Sequence, residues 1–132
     1  MKRTVSVAPM MDCTDRHERY FLRLISKNTL LYTEMIVDEA INRGDKKKLL
    51  EFNINEKPVA LQIGGSSPKL LAEASKIGED FGYDEINLNL GWPSKKVEKN
   101  KFGACLIKEP NLVADCLVKM QSVTKLPVTI KT

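Results

Sequence analysis

The sequence predicts an α/β fold built on a parallel sheet. Short apolar or β-branched runs alternate with stretches of helical periodicity, the pattern of repeated βα units. Proline or glycine stands at the junctions, at Pro9, Pro58, Gly64-Gly65, Gly82, Pro110 and Pro127, where such residues start or stop elements. The 132 residues are 42% hydrophobic, enough to bury a core. Two architectures satisfy this pattern, an open doubly wound sheet and a (β/α)8 TIM barrel. A dinucleotide-binding sheet should carry GxGxxG after its first strand. Here Pro9-Met10-Met11-Asp12 follows it, which favours the barrel. A full barrel takes ~250 residues, so about five strands within residues 1–132 make an incomplete, N-terminal part of one barrel domain, with no second domain. A buried-type strand at Pro127–Lys131 would otherwise leave its ladder groups open at an edge.

Thr4 to Ala8 reads as the first strand and stops at Pro9. Thr14 or Asp15 can cap a helix running to about Ile25, with Tyr20, Phe21, Leu24 and Ile25 on an expected core face and Arg16, Arg19 and Arg23 mostly opposite. Leu30 to Thr33 makes a second strand, and Glu34 to Asn42 a short helix. Val59 to Ile63 is a third strand, ended by Gly64-Gly65. Ser66 or Ser67 before Pro68 starts a helix, because a first-turn proline loses no hydrogen bond. That helix aligns Leu70, Leu71, Ala74, Ile77 and Phe81 and stops at Gly82. Tyr83 to Asn89 is the fourth strand, and Pro110 opens a helix carrying Leu112, Val113, Cys116, Leu117, Met120 and Val123 at core spacing. Pro127 to Lys131 is the fifth strand.

The net charge of +4 is mild, but Lys95, Lys96, Lys99 and Lys101 crowd the loop after the fourth strand. Lysines there point to a phosphate-bearing partner, although a solvated lysine-rich surface is the commoner origin of such a balance. Three cysteines, Cys13, Cys105 and Cys116, lack CxxC spacing and predict free thiols in a reducing compartment, with no zinc site. No signal peptide and no run of the ~18 apolar residues of a membrane helix is visible, so the expectation is a cytoplasmic monomer. His17, the only histidine, reads as a surface or packing residue.

The fourth strand ends in Asn87-Leu88-Asn89-Leu90-Gly91-Trp92-Pro93-Ser94, followed by Phe102-Gly103-Ala104-Cys105-Leu106. A barrel keeps its chemistry at such carboxyl strand ends. This stretch, with Ala8-Pro9-Met10-Met11-Asp12, Thr14-Asp15-Arg16-His17, Leu31-Tyr32-Thr33-Glu34-Met35, Val59-Ala60-Leu61-Gln62 and Val128-Thr129-Ile130-Lys131-Thr132, resembles the tRNA-dihydrouridine synthases, most closely their bacterial position-20/20a branch. The resemblance implies a TIM barrel that binds FMN, takes electrons from NADPH and reduces a uridine extruded from the tRNA D-loop. Carried over, Pro9, Met10 and Met11 would line the flavin ring, Gln62 would bond its polar edge and Lys131 would sit by its N1 region. Asn89 would touch the uridine or its neighbour. Asn100 falls where the family often has glycine, and asparagine tolerates a positive φ.

Read without the resemblance, Met10 and Met11 would be core, Gln62 and Asn89 satisfied strand-end polar groups, and Lys131 a solvated cap. One position departs from the family pattern. Where it has Asn-x-Gly-Cys-Pro-Ser, with the cysteine as proton donor, this chain has Trp92. Cys13 mirrors this, standing where related sequences commonly have tryptophan. The resemblance therefore implies either an impaired synthase or a non-catalytic tRNA-binding pseudoenzyme. The family's flavin-phosphate grip and helical tRNA-binding domain come from later segments, so residues 1–132 alone are expected to bind FMN weakly at best.

Overall fold

A computed structural model describes residues 5–92 and 103–132 of the chain. Strands β1 (Leu31–Tyr32), β2 (Ile36–Val37), β3 (Val59–Gly64), β4 (Glu85–Asn89) and β5 (Val128–Lys131) form one parallel sheet. β3 is central on one side, pairing with β1 and β2 in succession, then with β4, which pairs with β5. Sequential parallel strands joined through helices make this an incomplete (β/α)8 barrel. The first predicted strand survives as one parallel bridge, Ser6 to Leu30, flanked by Val7 N donating to Leu30 O at 3.0 Å. Thr4 lies outside the described residues.

Helices α4 (Pro68–Asp80) and α5 (Pro110–Gln121) cover the outer face of the sheet. Ser67 caps α4 with Pro68 in its first turn, and Gly82 at φ 91° ends that connection in a conformation open to glycine. Leu71 and Ala74 of α4 and Cys116 and Met120 of α5 pack with Leu61, Ile63, Ile86, Leu88 and Leu90 in the core. Along β4 every second residue is apolar and faces these helices, as a strand of period two requires.

Two expectations fail. The predicted helix Glu34–Asn42 is instead β2 followed by α2 (Asp38–Arg43). Ile36 and Val37 pair with Ile63 and Gly64, a long-range pairing that overrides local helix propensity. A short helix α3 (Lys46–Leu50) follows, capped by Asp45.

Helix α1 (Arg16–Ile25) starts at Asp15, whose Oδ1 accepts from His17 N and Glu18 N at 2.9 Å. These bonds, led by that from Glu18, hold the Asp15 carboxyl below its ordinary range. Its faces are the reverse of the expectation: Arg19 and Arg23 are buried, while Phe21, Leu24 and Ile25 are 60%, 70% and 68% exposed. The arginines are drawn inward by acceptors. Arg19 Nε meets Glu56 Oε2 at 2.7 Å and its Nη1 donates to Thr14 O at 2.7 Å. Arg23 donates to the carbonyls of Ser26, Glu56 and Pro58 at 2.8, 3.0 and 2.9 Å. Five guanidinium donors in a fixed fork suit such loop carbonyls.

Candidate functional site

The site assembles on the inner face of β3, β4 and β5, opposite the apolar core. Alternation sends Gln62, Glu85, Asn87, Asn89 and Thr129 to this side, and Gln62, Glu85, Asn87 and Asn89 are at most 5% exposed. In register, Gln62 stands beside Asn87, Asn87 beside Thr129, and Asn89 beside Lys131. Buried polar groups must find partners or lose stability, and here they find one another. Asn89 Nδ2 donates to Gln62 Oε1 at 3.0 Å, and Gln62 Nε2 donates to Asn87 Oδ1 at 2.8 Å. Asn87 Nδ2 donates to Thr129 Oγ1 at 2.8 Å. Glu85 Oε1 accepts from Thr129 Oγ1 at 2.7 Å and from Tyr32 Oη at 2.8 Å.

At the carboxyl end of β4, Asn89 Oδ1 accepts from Gly91 N at 3.1 Å and from Trp92 N at 2.9 Å. This side-chain turn fixes how the chain leaves the strand. Trp92 is half-buried with its apolar surface against the core cluster, and its carbonyl accepts from Ala104 N at 3.3 Å. Leu90 N donates to Lys131 O at 2.8 Å. A side chain at Gly91 would collide with the Thr132 carbonyl. Gln62, Asn89, the Trp92 backbone and Lys131 therefore meet at one end of the sheet.

Pro9, Met10 and Met11 lie in the turn after the first bridge. Met10 is 47% exposed, Pro9 and Met11 are half-buried, and neither methionine joins the apolar core cluster, so the core-packing reading of them is not met. Met10 O accepts from Cys13 N, Thr14 N and Thr14 Oγ1 at 3.2, 3.0 and 3.1 Å. Asp12, at φ 61°, donates its N–H to Glu34 Oε1 at 2.6 Å. That bond ties the turn to the end of β1 and seats an aspartate in the left-handed region, where it is tolerated better than most residues.

Gly65 could admit a ligand by lacking a side chain, but the space is taken by the Asp38 carboxylate. Asp38 is 3% exposed and accepts from Glu39 N at 2.7 Å. Burial raises its pKa to about 6. Burial, then the charges of Asp115 and Asp38, push the Cys116 thiol up to about 11, so it stays protonated and unreactive as a nucleophile near neutrality. Cys13 is exposed and Cys105 half-buried. His17 is exposed on α1. Lys95, Lys96, Lys99, Asn100 and Lys101 lie outside the described residues. Among the described residues no helix is long and apolar enough to cross a membrane, and no group of three or more His, Cys, Asp or Glu could hold a metal.

Glu85, Asn87 and Thr129 are inner-face residues that sequence reasoning passed over, as it passed over the buried Asp38 beside Gly65. The signal for the first two is a polar residue at every second position of a strand whose other face is apolar: Glu85-Ile86-Asn87-Leu88-Asn89-Leu90.

Comparison with known proteins follows the same segments. A curated protein of Synechocystis sp. called tRNA-dihydrouridine(20/20a) synthase is 60% identical over 127 residues, 96% of this chain and 38% of the relative. Proteins of the same name from Escherichia coli K12 and Vibrio parahaemolyticus are 58% and 56% identical, over 96% and 97% of this chain and 36% and 39% of their own lengths. The chain thus spans under two fifths of these relatives. A model of the dihydrouridine synthase (Dus) family matches residues 6–132, and with the barrel segment and its polar strand ends in place, the chain belongs to that family.

Proposed function

We propose that residues 1–132 form the N-terminal part of a flavin-binding barrel that reduces uridine in the tRNA D-loop, with FMN as cofactor and NADPH as reductant, and that Trp92 disables the uridine half-reaction. The observation that carries this reading is the convergence of Gln62, Asn89 and Lys131 at the carboxyl ends of three adjacent strands. These are hydrogen-bond donors gathered where a barrel binds its ligand. They fit the carbonyl-bearing edge of a flavin ring, and an ammonium there favours the electron-rich reduced form. When bound, FMN supplies the hydride.

The chain's own residues would bind and orient. Gln62 offers its amide to the ring edge, Lys131 its charge, and Pro9, Met10 and Met11 an apolar surface that the core does not use. Asn89 stands beside the base, which must leave its stack in the RNA to be reached. The reduction also needs a proton at the base. A cysteine with pKa near ~8.5 can give one, whereas an indole N–H donates hydrogen bonds but not protons. Trp92 also favours a second reading, a tRNA-binding relative that has kept the scaffold and lost the acid.

Titrating the intact protein with FMN tests the cofactor part. Saturable binding with a shifted flavin absorption band is the expected result. A protein that leaves the flavin absorption band unshifted at high FMN, while binding tRNA in a salt-dependent way, would replace the enzyme reading with the binding one.

A further inference from the structure

The inner-face hydrogen bonds run in one sense from end to end, and both ends dictate that sense. At one end, Gly91 N and Trp92 N can only donate, so Asn89 must turn its oxygen to them at 3.1 and 2.9 Å. Its Nδ2 then faces Gln62, whose oxygen must accept at 3.0 Å. Gln62 Nε2 in turn faces Asn87 Oδ1 at 2.8 Å, and Asn87 Nδ2 faces the Thr129 hydroxyl at 2.8 Å.

At the other end, one oxygen of Glu85 receives two hydroxyls, from Thr129 at 2.7 Å and Tyr32 at 2.8 Å. A carboxylate oxygen has no proton to return, so the Thr129 hydroxyl must donate to it and accept from Asn87. Starting from Glu85 or from Trp92 gives the same orientation for all three amides. No bond is frustrated, and each strengthens its neighbours.

We propose that Glu85 is a positioning residue which, through Thr129 and Asn87, locks from the far end the amide orientation of Gln62 and Asn89 that the Gly91 and Trp92 backbone sets from the near end, and so keeps the mouth of this sheet a hydrogen-bond-donating surface. Among the described residues, the relay uses one N–H of each amide and leaves the second N–H of Gln62 and of Asn89 uncommitted. The Asn89 oxygen is filled by two backbone donors. With Lys131 in register beside Asn89, the surface selects ligands by their acceptors, carbonyl oxygens or an anionic ring. The ligand's identity as a flavin rests on the function proposed above, but the relay does not.

The test therefore has two independent readouts. Thr129→Val keeps the side-chain shape and deletes the hydroxyl, whereas Thr129→Ser restores it. In the intact, ligand-free protein, T129V is expected to raise amide hydrogen exchange at Gly91 and Trp92 about tenfold, because Asn89 is then held by its two backbone donors alone, without the support of the relay through Gln62. T129S should keep the native rate. Ser75→Ala, which removes a buried hydroxyl bonded to Leu71 O, should leave exchange at those two residues unchanged. If T129V does not fold, Glu85→Gln serves instead, since its amide can donate to the Thr129 oxygen and free the sense of the relay. Unchanged exchange at Gly91 and Trp92 in a folded T129V or E85Q protein would overturn the proposal, as would an equal rise in S75A. In the second readout, FMN affinity should fall about tenfold in T129V and recover in T129S. A native protein that binds no FMN, yet whose exchange responds as stated, upholds the relay and defeats the flavin reading.

Discussion

The two faces of β4 are buried to the same degree and do opposite work. On one side Ile86, Leu88 and Leu90 lie at 0%, 0% and 3% exposure under α4 and α5. On the other, Glu85, Asn87 and Asn89 lie at 1%, 2% and 5%. The apolar face gains stability from every contact it loses to water. The polar face gains little net, because its hydrogen bonds replace ones already made to water, but it acquires a fixed pattern of donors. Burial alone does not separate core from site. The chemistry of what is buried does.

Neighbouring substitutions on β4 should expose that difference. Leu88→Ala is expected to cost about 2–5 kcal/mol, from lost transfer energy and a residual cavity, seen as a lower denaturant midpoint with the ligand preference intact. Asn87→Ala should cost less, about 1–3 kcal/mol, by leaving the Gln62 amide and the Thr129 hydroxyl without their middle partner. Its larger effect should fall on ligand binding. If the two variants show the same ratio of stability loss to binding loss, the division of labour between the faces is wrong.

Asp38 sharpens the contrast from another direction. Glu85 receives two hydroxyls, whereas Asp38 receives one backbone N–H and is desolvated. Its pKa rises from the ordinary 3.8 to about 6 on folding. Below 3.8 both states hold the proton. As pH rises towards 6 the unfolded chain releases its proton first, so the folded state loses stability, and the loss is complete above 6. Asp38→Asn should remove that slope between pH 4 and 6 and stabilise the protein at pH 7 by about 1–2 kcal/mol. Chemical denaturation across that range measures it. An unchanged slope would remove Asp38 as its source.

Much of this architecture could be read before the structure. Ser67-Pro68 and Gly82 mark the ends of α4 because capping and positive φ are local demands. The strands β3, β4 and β5 are short apolar or alternating runs bounded by Gly, Pro or Asp, as expected of sheet interiors. What escaped was set by distant partners. Ile36 and Val37 form β2 only because β3 is there to pair with them. The periodicity of α1 gathers Phe21, Leu24 and Ile25 on one side but cannot say which side turns inward, and Glu56, 37 residues from Arg19, decides it. In the candidate site, motif resemblance singled out Gln62, Asn89 and Lys131, and the strand register places them near one another. Asn87 and Thr129 were not, because a polar residue in a strand reads as solvent-facing until its partners across the sheet are known.

The most direct measurement is of dihydrouridine in tRNA from a strain without dihydrouridine synthases, expressing the intact protein with Trp92 or with the Trp92→Cys substitution. The account predicts none above background with Trp92 and its appearance with W92C, since only the thiol supplies the missing proton. Dihydrouridine formed by the protein carrying Trp92 would contradict it.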